Sequence, residues 1–297
     1  MPKSPGAYTI QHLHGTRVNS KSLNTKWFYH ASMGFVEKLK KAISKNDSLL
    51  CVGLDVDEEK ISKDLKKEKD WITKFNEIII SNTSDIVCCY KINLAFYESH
   101  GEAGFRSLLE TIDIIPENLP VIIDGKRNDI GNSARKYAKA VFEILKGDAV
   151  TVNPYLGYDS VKPFLDHRDK YTFVLCKTSN PSATDIQNLK VGDKKLYQIV
   201  AEKIKEWGEN CGAVVGATYP EDIKEVREIV GKDRILLLPG IGAQGGDLKR
   251  SLGYGCVEGR NVIINVSRSI IYAEGSFPSA IRKAAEKYRE EINKFRP

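Results

Sequence analysis

The run Val121-Ile122-Ile123-Asp124-Gly125-Lys126-Arg127-Asn128-Asp129 carries apolar, β-branched residues straight into charge. Alternate side chains of a strand share a face, so Asp124 and Lys126 are expected to project together from the end of a buried strand. Asp129 follows just past it, where a helix should begin. A charge shielded from water is costly unless it is paired. Asp-x-Lys-x-x-Asp in such a place is therefore either a structural ion-pair cluster or a catalytic charge array. Lys91, in Tyr90-Lys91-Ile92-Asn93, brings the set to two cations and two anions. Alternated in space, these groups would hold one another ionised, and their titrations would be coupled. Asp55 ends a further apolar run, Gly53-Leu54-Asp55, in the same manner.

A second constellation lies toward the C-terminus. Pro239-Gly240-Ile241-Gly242-Ala243-Gln244-Gly245-Gly246 follows one apolar run, and Ser267-Arg268 follows the next. The glycines let backbone N–H groups approach a ligand closely, and an arginine fork can take two phosphate oxygens. The plainer alternative is a glycine turn beside a surface arginine. No histidine falls at the end of an apolar run, and His100 and His167 read as ordinary surface residues. The commonest general base and any histidine-based metal site are thereby removed.

The elements that must position these groups follow from periodicity. Strands are expected at Leu49–Val56, Ile86–Ile92, Pro120–Asp124, Ala149–Asn153, Thr172–Lys177, Ala213–Ala217, Ile235–Pro239 and Val262–Val266. Helical spacing of apolar residues separates them, as in Trp71–Ile80, Gly104–Ile115, Asn132–Leu145, Lys195–Trp207 and Pro220–Val230, and Pro278–Phe295 closes the chain. The strands are continuous apolar runs, as parallel strands covered on both faces should be. Eight β-α units in ~250 residues point to an α/β fold, a single-domain TIM (β/α)8 barrel, whose functional residues sit at the C-terminal ends of the strands. A doubly wound sheet is the alternative, but no G-x-G-x-x-G follows the first strand. The polar stretch Asn180–Lys194 exceeds a typical βα loop and reads as a lid or insertion above the active face.

Composition narrows the class further. The net charge of +6 owes Lys3, Arg17, Lys21 and Lys26 to residues 1–32, which contain no acid, leaving +2 for the rest. A core so near neutrality carries no nucleic-acid footprint, and no apolar run approaches the ~20 residues of a membrane helix. Lys60–Lys69 alternates with acids and reads as a solvated helix face. The six cysteines show no Cys-x-x-Cys spacing and read as buried thiols of a reducing compartment. Residues 1–32 lack apolar periodicity and read as an N-terminal extension, a disordered arm or an appended leader, with a targeting segment as the alternative. The barrel domain is expected over 33–297.

In order, Gly53-Leu54-Asp55, Tyr90-Lys91-Ile92-Asn93, Asp124-x-Lys126-x-x-Asp129, Lys177-Thr178-Ser179-Asn180-Pro181, the Pro239–Gly246 loop and Arg268 resemble the orotidine 5'-phosphate decarboxylase family, over most of residues 49–268. The likeness is greatest to the branch with a Gly-Ala-Gln-Gly-Gly phosphate loop. The resemblance implies decarboxylation of orotidine 5'-monophosphate to uridine 5'-monophosphate, the last step of de novo UMP formation, in the cytoplasm and without cofactor or metal. By the same resemblance Lys126 protonates C6 of the pyrimidine and Asp124 lies against the substrate carboxylate. Lys91 and Asp129 complete the charge array, and Asp55 and Lys91 contact the ribose hydroxyls. Ser179 reads the ring, Gln244, Gly245 and Arg268 hold the phosphate, and Asn93 lies near the site. Asp129 and the residues after it reach into the partner's site, which implies an obligate homodimer with shared active sites. Many relatives have threonine four residues after the second aspartate; Ser133 stands there in this chain and retains a hydroxyl. With no phosphoribosyltransferase domain visible, a monofunctional protein is implied.

Two other functions remain open on the residues. A sugar-phosphate aldolase or decarboxylase on the same barrel would use magnesium and extra strand-end carboxylates, whereas Lys91 and Asn93 stand at the second strand end. A nucleotide-binding module without chemistry would bind ligand and turn nothing over.

Overall fold

The computed structural model describes residues 33–241 and 247–297. The extension expected over 1–32, and Gln244 and Gly245, lie outside the described residues. The strands, in chain order, are β1 (Leu50–Gly53), β2 (Cys89–Asn93), β3 (Val121–Arg127), β4 (Ala149–Val152), β5 (Tyr171–Lys177), β6 (Lys190–Val191), β7 (Lys194–Lys195), β8 (Cys211–Val215), β9 (Leu236–Pro239) and β10 (Val262–Val266). All but β6 and β7 close into a parallel barrel in the order β1-β10-β9-β8-β5-β4-β3-β2. Each barrel strand thus lies beside the strand before it in the chain, and β10 meets β1 to close the ring. The connecting helices cover the outside, so Cys51, Ile122, Val150, Val174, Ala213 and Ile263 are all buried. That two-sided burial is why these runs are uninterrupted by polar residues.

The first helix, α1 (Phe35–Asn46), lies at the N-terminal ends of the strands. Phe35 stacks on Tyr171 and meets Phe173 edge-on, while Lys38 pairs at 2.8 Å with Asp148, just before β4. The Asp148 carboxylate also accepts from the Val121 amide at 2.9 Å. These contacts fasten one end of the barrel and leave chemistry to the other.

Three expectations need correction. Lys60–Lys69 is not a helix face; it holds short 3-10 turns at Glu58–Lys60 and Leu65–Lys67. With Ile61 as its buried apolar side chain, the stretch has too little apolar surface to dock a helix. His100 and His167 are half-buried rather than plain surface residues, packed against Trp71 and Phe142 respectively. The helix expected over Asn132–Leu145 is α-helical at Gly131–Lys139 and turns π-helical at Ala140–Ile144. The Asn180–Lys194 stretch holds a 3-10 turn at Pro181–Asp185 and most of the β6–β7 hairpin. All six cysteines are buried free thiols.

Candidate active site

The C-terminal end of the barrel opens into a cavity of about 580 Å³. Its walls include Asp55, Lys91, Asn93, Asp124 and Lys126 on one side and Thr178, Ser179, Gly240, Ile241 and Arg268 on the other. Leu175, Val214 and Leu237 supply apolar surface between them. One end can therefore balance charge, the middle can take a flat apolar ring, and the glycine and arginine end can take an anion.

The charge cluster is built on β2, β3 and β4. The Lys91 ammonium donates to Asp124 Oδ2 at 2.8 Å, and the Lys126 ammonium donates to Asp124 Oδ1 at 2.8 Å. Lys91 also lies 3.7 Å from Asp55 Oδ1. Lys91 and Asp124 are only 5% and 7% exposed, so neither charge can rely on water. Burial alone would depress the Lys91 ammonium, but the carboxylates of Asp124 and Asp55 outweigh it and hold the group above the usual lysine range. Burial likewise works to raise the Asp124 carboxyl. The ammoniums of Lys91 and Lys126, and the hydrogen bonds they donate, prevail and hold it well below the usual carboxylate range. Asp124 is thus a fixed anion. The Lys126 side chain remains 48% accessible against 6% for Lys91. Lys91 clamps Asp124 from the cavity wall, while Lys126 is the more accessible of the two ammoniums.

Asp124 and Lys126 project together as strand alternation predicts, although the backbone between them is irregular. The β3–β4 register shifts between Ile123 and Arg127, and Lys126 adopts a left-handed backbone with φ 45°. This conformation costs a non-glycine residue roughly 1–2 kcal/mol. Thr151, on β4, holds it. The Thr151 hydroxyl accepts from the Lys126 amide at 3.0 Å and donates to Asp124 Oδ1 at 2.7 Å. Thr151 was not singled out from sequence, because it lies inside an apolar strand and carries no charge.

Asp55 and Ser267 approach the opening from neighbouring strands. Asp55 Oδ1 is buried with no hydrogen-bond partner, leaving an acceptor for a ligand donor. The backbone around it is fixed by two tyrosines: Tyr97 donates to the Leu54 carbonyl at 3.0 Å, and Tyr272 donates to the Asp55 carbonyl at 3.2 Å. Arg268 is exposed beyond β10 and faces the same cavity as Gly240, whose φ of 100° requires glycine.

Asp129 and Ser133 are not among the cavity residues. The Asp129 carboxylate accepts from the Ile130 amide at 2.8 Å, and Ser133 is exposed on the helix that follows, Gly131–Lys139. Asn93 is half-buried and lines the cavity. Among the described residues no three His, Cys, Asp or Glu side chains converge as a possible ion site. No described helix is long and apolar enough to cross a membrane.

Residues 48–284 match the orotidine 5'-phosphate decarboxylase / HUMPS family. The orotidine 5'-phosphate decarboxylase of Herpetosiphon aurantiacus is 46% identical over 260 residues, 86% of this chain and 96% of that protein. The enzyme of the same name from Dehalococcoides mccartyi is 47% identical over 273 residues, 89% of this chain and 99% of that one. Among solved structures, Leishmania donovani OMP decarboxylase superposes with a TM-score of 0.79 at 39% identity, over 89% of this chain and 99% of that chain.

Proposed function

This chain belongs to the orotidine 5'-phosphate decarboxylase / HUMPS family, and on that premise we propose that it converts orotidine 5'-monophosphate to uridine 5'-monophosphate and CO2, with Lys126 delivering a proton to C6. It is a carboxy-lyase of UMP biosynthesis, built on a single barrel domain over 33–297 and placed in the cytoplasm. The observation that carries the mechanism is the fixed Lys91–Asp124–Lys126 row at the mouth of the cavity.

Breaking the C6–carboxyl bond releases CO2 and leaves its electron pair on C6, in the plane of the ring. No conjugated sink accepts that pair, so the barrier must fall through electrostatics and proton delivery. The Lys126 ammonium supports the developing carbanion and then transfers a proton to it, completing UMP. Asp124, kept ionised by Lys91 and Lys126, stands against the substrate carboxylate and disfavours it in the bound state. That strain must be offset by binding energy gained away from the reacting carbon. Gln244, Gly245 and Arg268 at the phosphate, Asp55 and Lys91 at the ribose hydroxyls, and Ser179 at the ring are the groups assigned to supply it, with Asn93 beside them.

Asp129 and Ser133 act across a homodimer interface, each completing the partner's site. Two features support this. Asp129 lies off its own chain's cavity, and the residues following β3 and β4 expose Ile130, Tyr155, Leu156 and Tyr158, at 56%, 80%, 44% and 46%. Such side chains grouped beside a site suit a covered surface.

The test is the loss of orotate absorbance when the protein meets orotidine 5'-monophosphate with chelator present. Rapid loss with UMP formed is expected. Tight UMP binding without turnover would leave a binding protein, and neither binding nor turnover would direct attention to sugar phosphates with magnesium.

A further inference from the structure

Lys177 is a buried cation to which the mechanism above gives no task. It ends β5, is 3% exposed, and immediately precedes the cavity residues Thr178 and Ser179. Leu175, two residues earlier, lines the cavity, so strand alternation would aim Lys177 inward as well. It does not point there. The β5–β8 register shifts between Leu175 and Lys177, and the irregularity turns the ammonium outward. There it donates to Asn188 Oδ1 at 2.6 Å, lies 3.8 Å from Asp222 Oδ2, and sits 5.2 Å from the centre of the Tyr197 ring. Asn188 belongs to the insertion, Tyr197 to the helix Leu196–Trp207 and Asp222 to the helix Pro220–Val230. One side chain therefore ties the insertion and two outer helices to the strand end that carries the cavity wall.

The connection continues to Thr178. Gln187, beside Asn188, accepts from the Thr178 amide at 2.9 Å and donates to the Thr178 hydroxyl at 2.7 Å. The Gln187 carbonyl in turn takes the Tyr197 amide at 3.1 Å. On the other side, a Cβ added at Gly216 would lie 2.8 Å from both the amide nitrogen and the Cβ of Ser179, so the backbone there is held against β8's exit without slack. The Gly216 amide donates to the Lys177 carbonyl at 2.8 Å. Position at Ser179 is thus set from both sides, and the Lys177 ammonium fixes the insertion side. Hydrogen bonds from charged donors are stronger than neutral ones. Within a shielded network, their loss leaves Asn188 and Asp222 without their cation.

We infer that Lys177 is a positioning residue for recognition of the base: through Asn188 and Gln187 it holds the insertion so that Thr178 and Ser179 present their polar groups to the ring. The inference rests on the proposed role of Ser179 at the pyrimidine. It makes a prediction that a purely structural salt bridge would not. Disturbing Lys177 should weaken ligands that carry a base and spare ligands that carry only ribose and phosphate.

The experiment measures affinities for UMP and for ribose 5-phosphate in Lys177→Met and in Asn188→Leu. The second variant breaks the same strut from a half-buried surface position and leaves the buried lysine in place, so it remains informative if Lys177→Met fails to fold. Loss of a charge-assisted hydrogen bond should weaken UMP about tenfold in each variant, with ribose 5-phosphate changed by less than about twofold. Kinetically, KM for orotidine 5'-monophosphate should rise more than kcat falls, and Asn188→Asp, which keeps an acceptor for the ammonium, should restore both. Equal weakening of the two ligands, or no change in either, overturns the inference. Ser179→Ala run beside them separates the two levels. If Ser179→Ala keeps the ratio of the two affinities, the role of Ser179 falls and the strut falls with it. If Ser179→Ala loses that ratio while Lys177→Met and Asn188→Leu keep it, the strut alone falls.

Discussion

Thr151→Val removes one hydroxyl from the interior and should disable Lys126, the proposed proton donor, without altering that side chain. The hydroxyl makes two bonds, to Asp124 Oδ1 at 2.7 Å and from the Lys126 amide at 3.0 Å. Asp124 keeps both ammoniums in the variant, so it stays ionised. Lys126 loses the acceptor that holds its backbone at φ 45°. A hydrogen bond to a charged group contributes about 1.5–3 kcal/mol. Relaxation of the left-handed residue returns roughly 1–2 kcal/mol of strain. The stability cost should therefore be small, about 1 kcal/mol, or a Tm lowered by roughly 2–4 °C. The catalytic cost should be larger, because relaxation re-aims the ammonium away from C6. Losing about 2 kcal/mol of transition-state interaction is about thirtyfold in kcat. The assay is steady-state decarboxylation followed by orotate absorbance, with thermal unfolding in parallel. A kcat within twofold of the parent would refute the reasoning, since Lys126 would then hold its geometry without Thr151. An unchanged kcat/KM with a raised KM would also do so, by placing Thr151 in ground-state binding instead.

Lys126→Ala should lower kcat by at least about 10⁴-fold, since proton delivery and charge stabilisation both depend on it, while UMP still binds; turnover near the parent's in a stopped-flow assay would remove Lys126 from the reaction. Arg268→Ala should weaken UMP about tenfold to a hundredfold, the loss of charge-assisted bonds to phosphate, and leave uridine affinity unchanged in calorimetric titration. Asp124 has its folded carboxyl held below the unfolded value, so its contribution to stability is present above the usual carboxylate value of about 3.9 and is lost as pH falls through the folded value. Denaturant unfolding between neutral and acid pH should show that loss, and Asp124→Asn should have the shallower acid limb; parallel limbs would contradict it. Ile130→Asp places a charge on the exposed apolar surface beside the site and should shift sedimentation toward the monomer and cut activity with it; a fully active monomer would refute shared sites.

Much of this protein is determined by local sequence. Strand positions follow from uninterrupted apolar runs, and the identity of the strand-end residues follows from where each run stops. Asp55, Lys91, Asp124, Lys126, Ser179 and Arg268 were all legible in that way, and the structure lines one cavity with them. Periodicity carries this information because a barrel strand is buried on both faces and its charged residues can stand only at its end. What depends on irregular backbone was not legible. The left-handed Lys126 meets Asp124 as alternation predicts, but through an irregular backbone that the pattern does not show, and the register shift in β5 turns Lys177 against the pattern. Thr151 acquires its importance from a neighbouring strand 25 residues away in sequence, and Lys177 from an insertion and two helices. Asp129 and Ser133 follow Asp124 and Lys126 in the same stretch of sequence, yet their own chain's cavity does not include them. Sequence spacing sets which residues arrive at the end of the barrel; the packing of neighbouring strands and helices sets the direction in which each one faces.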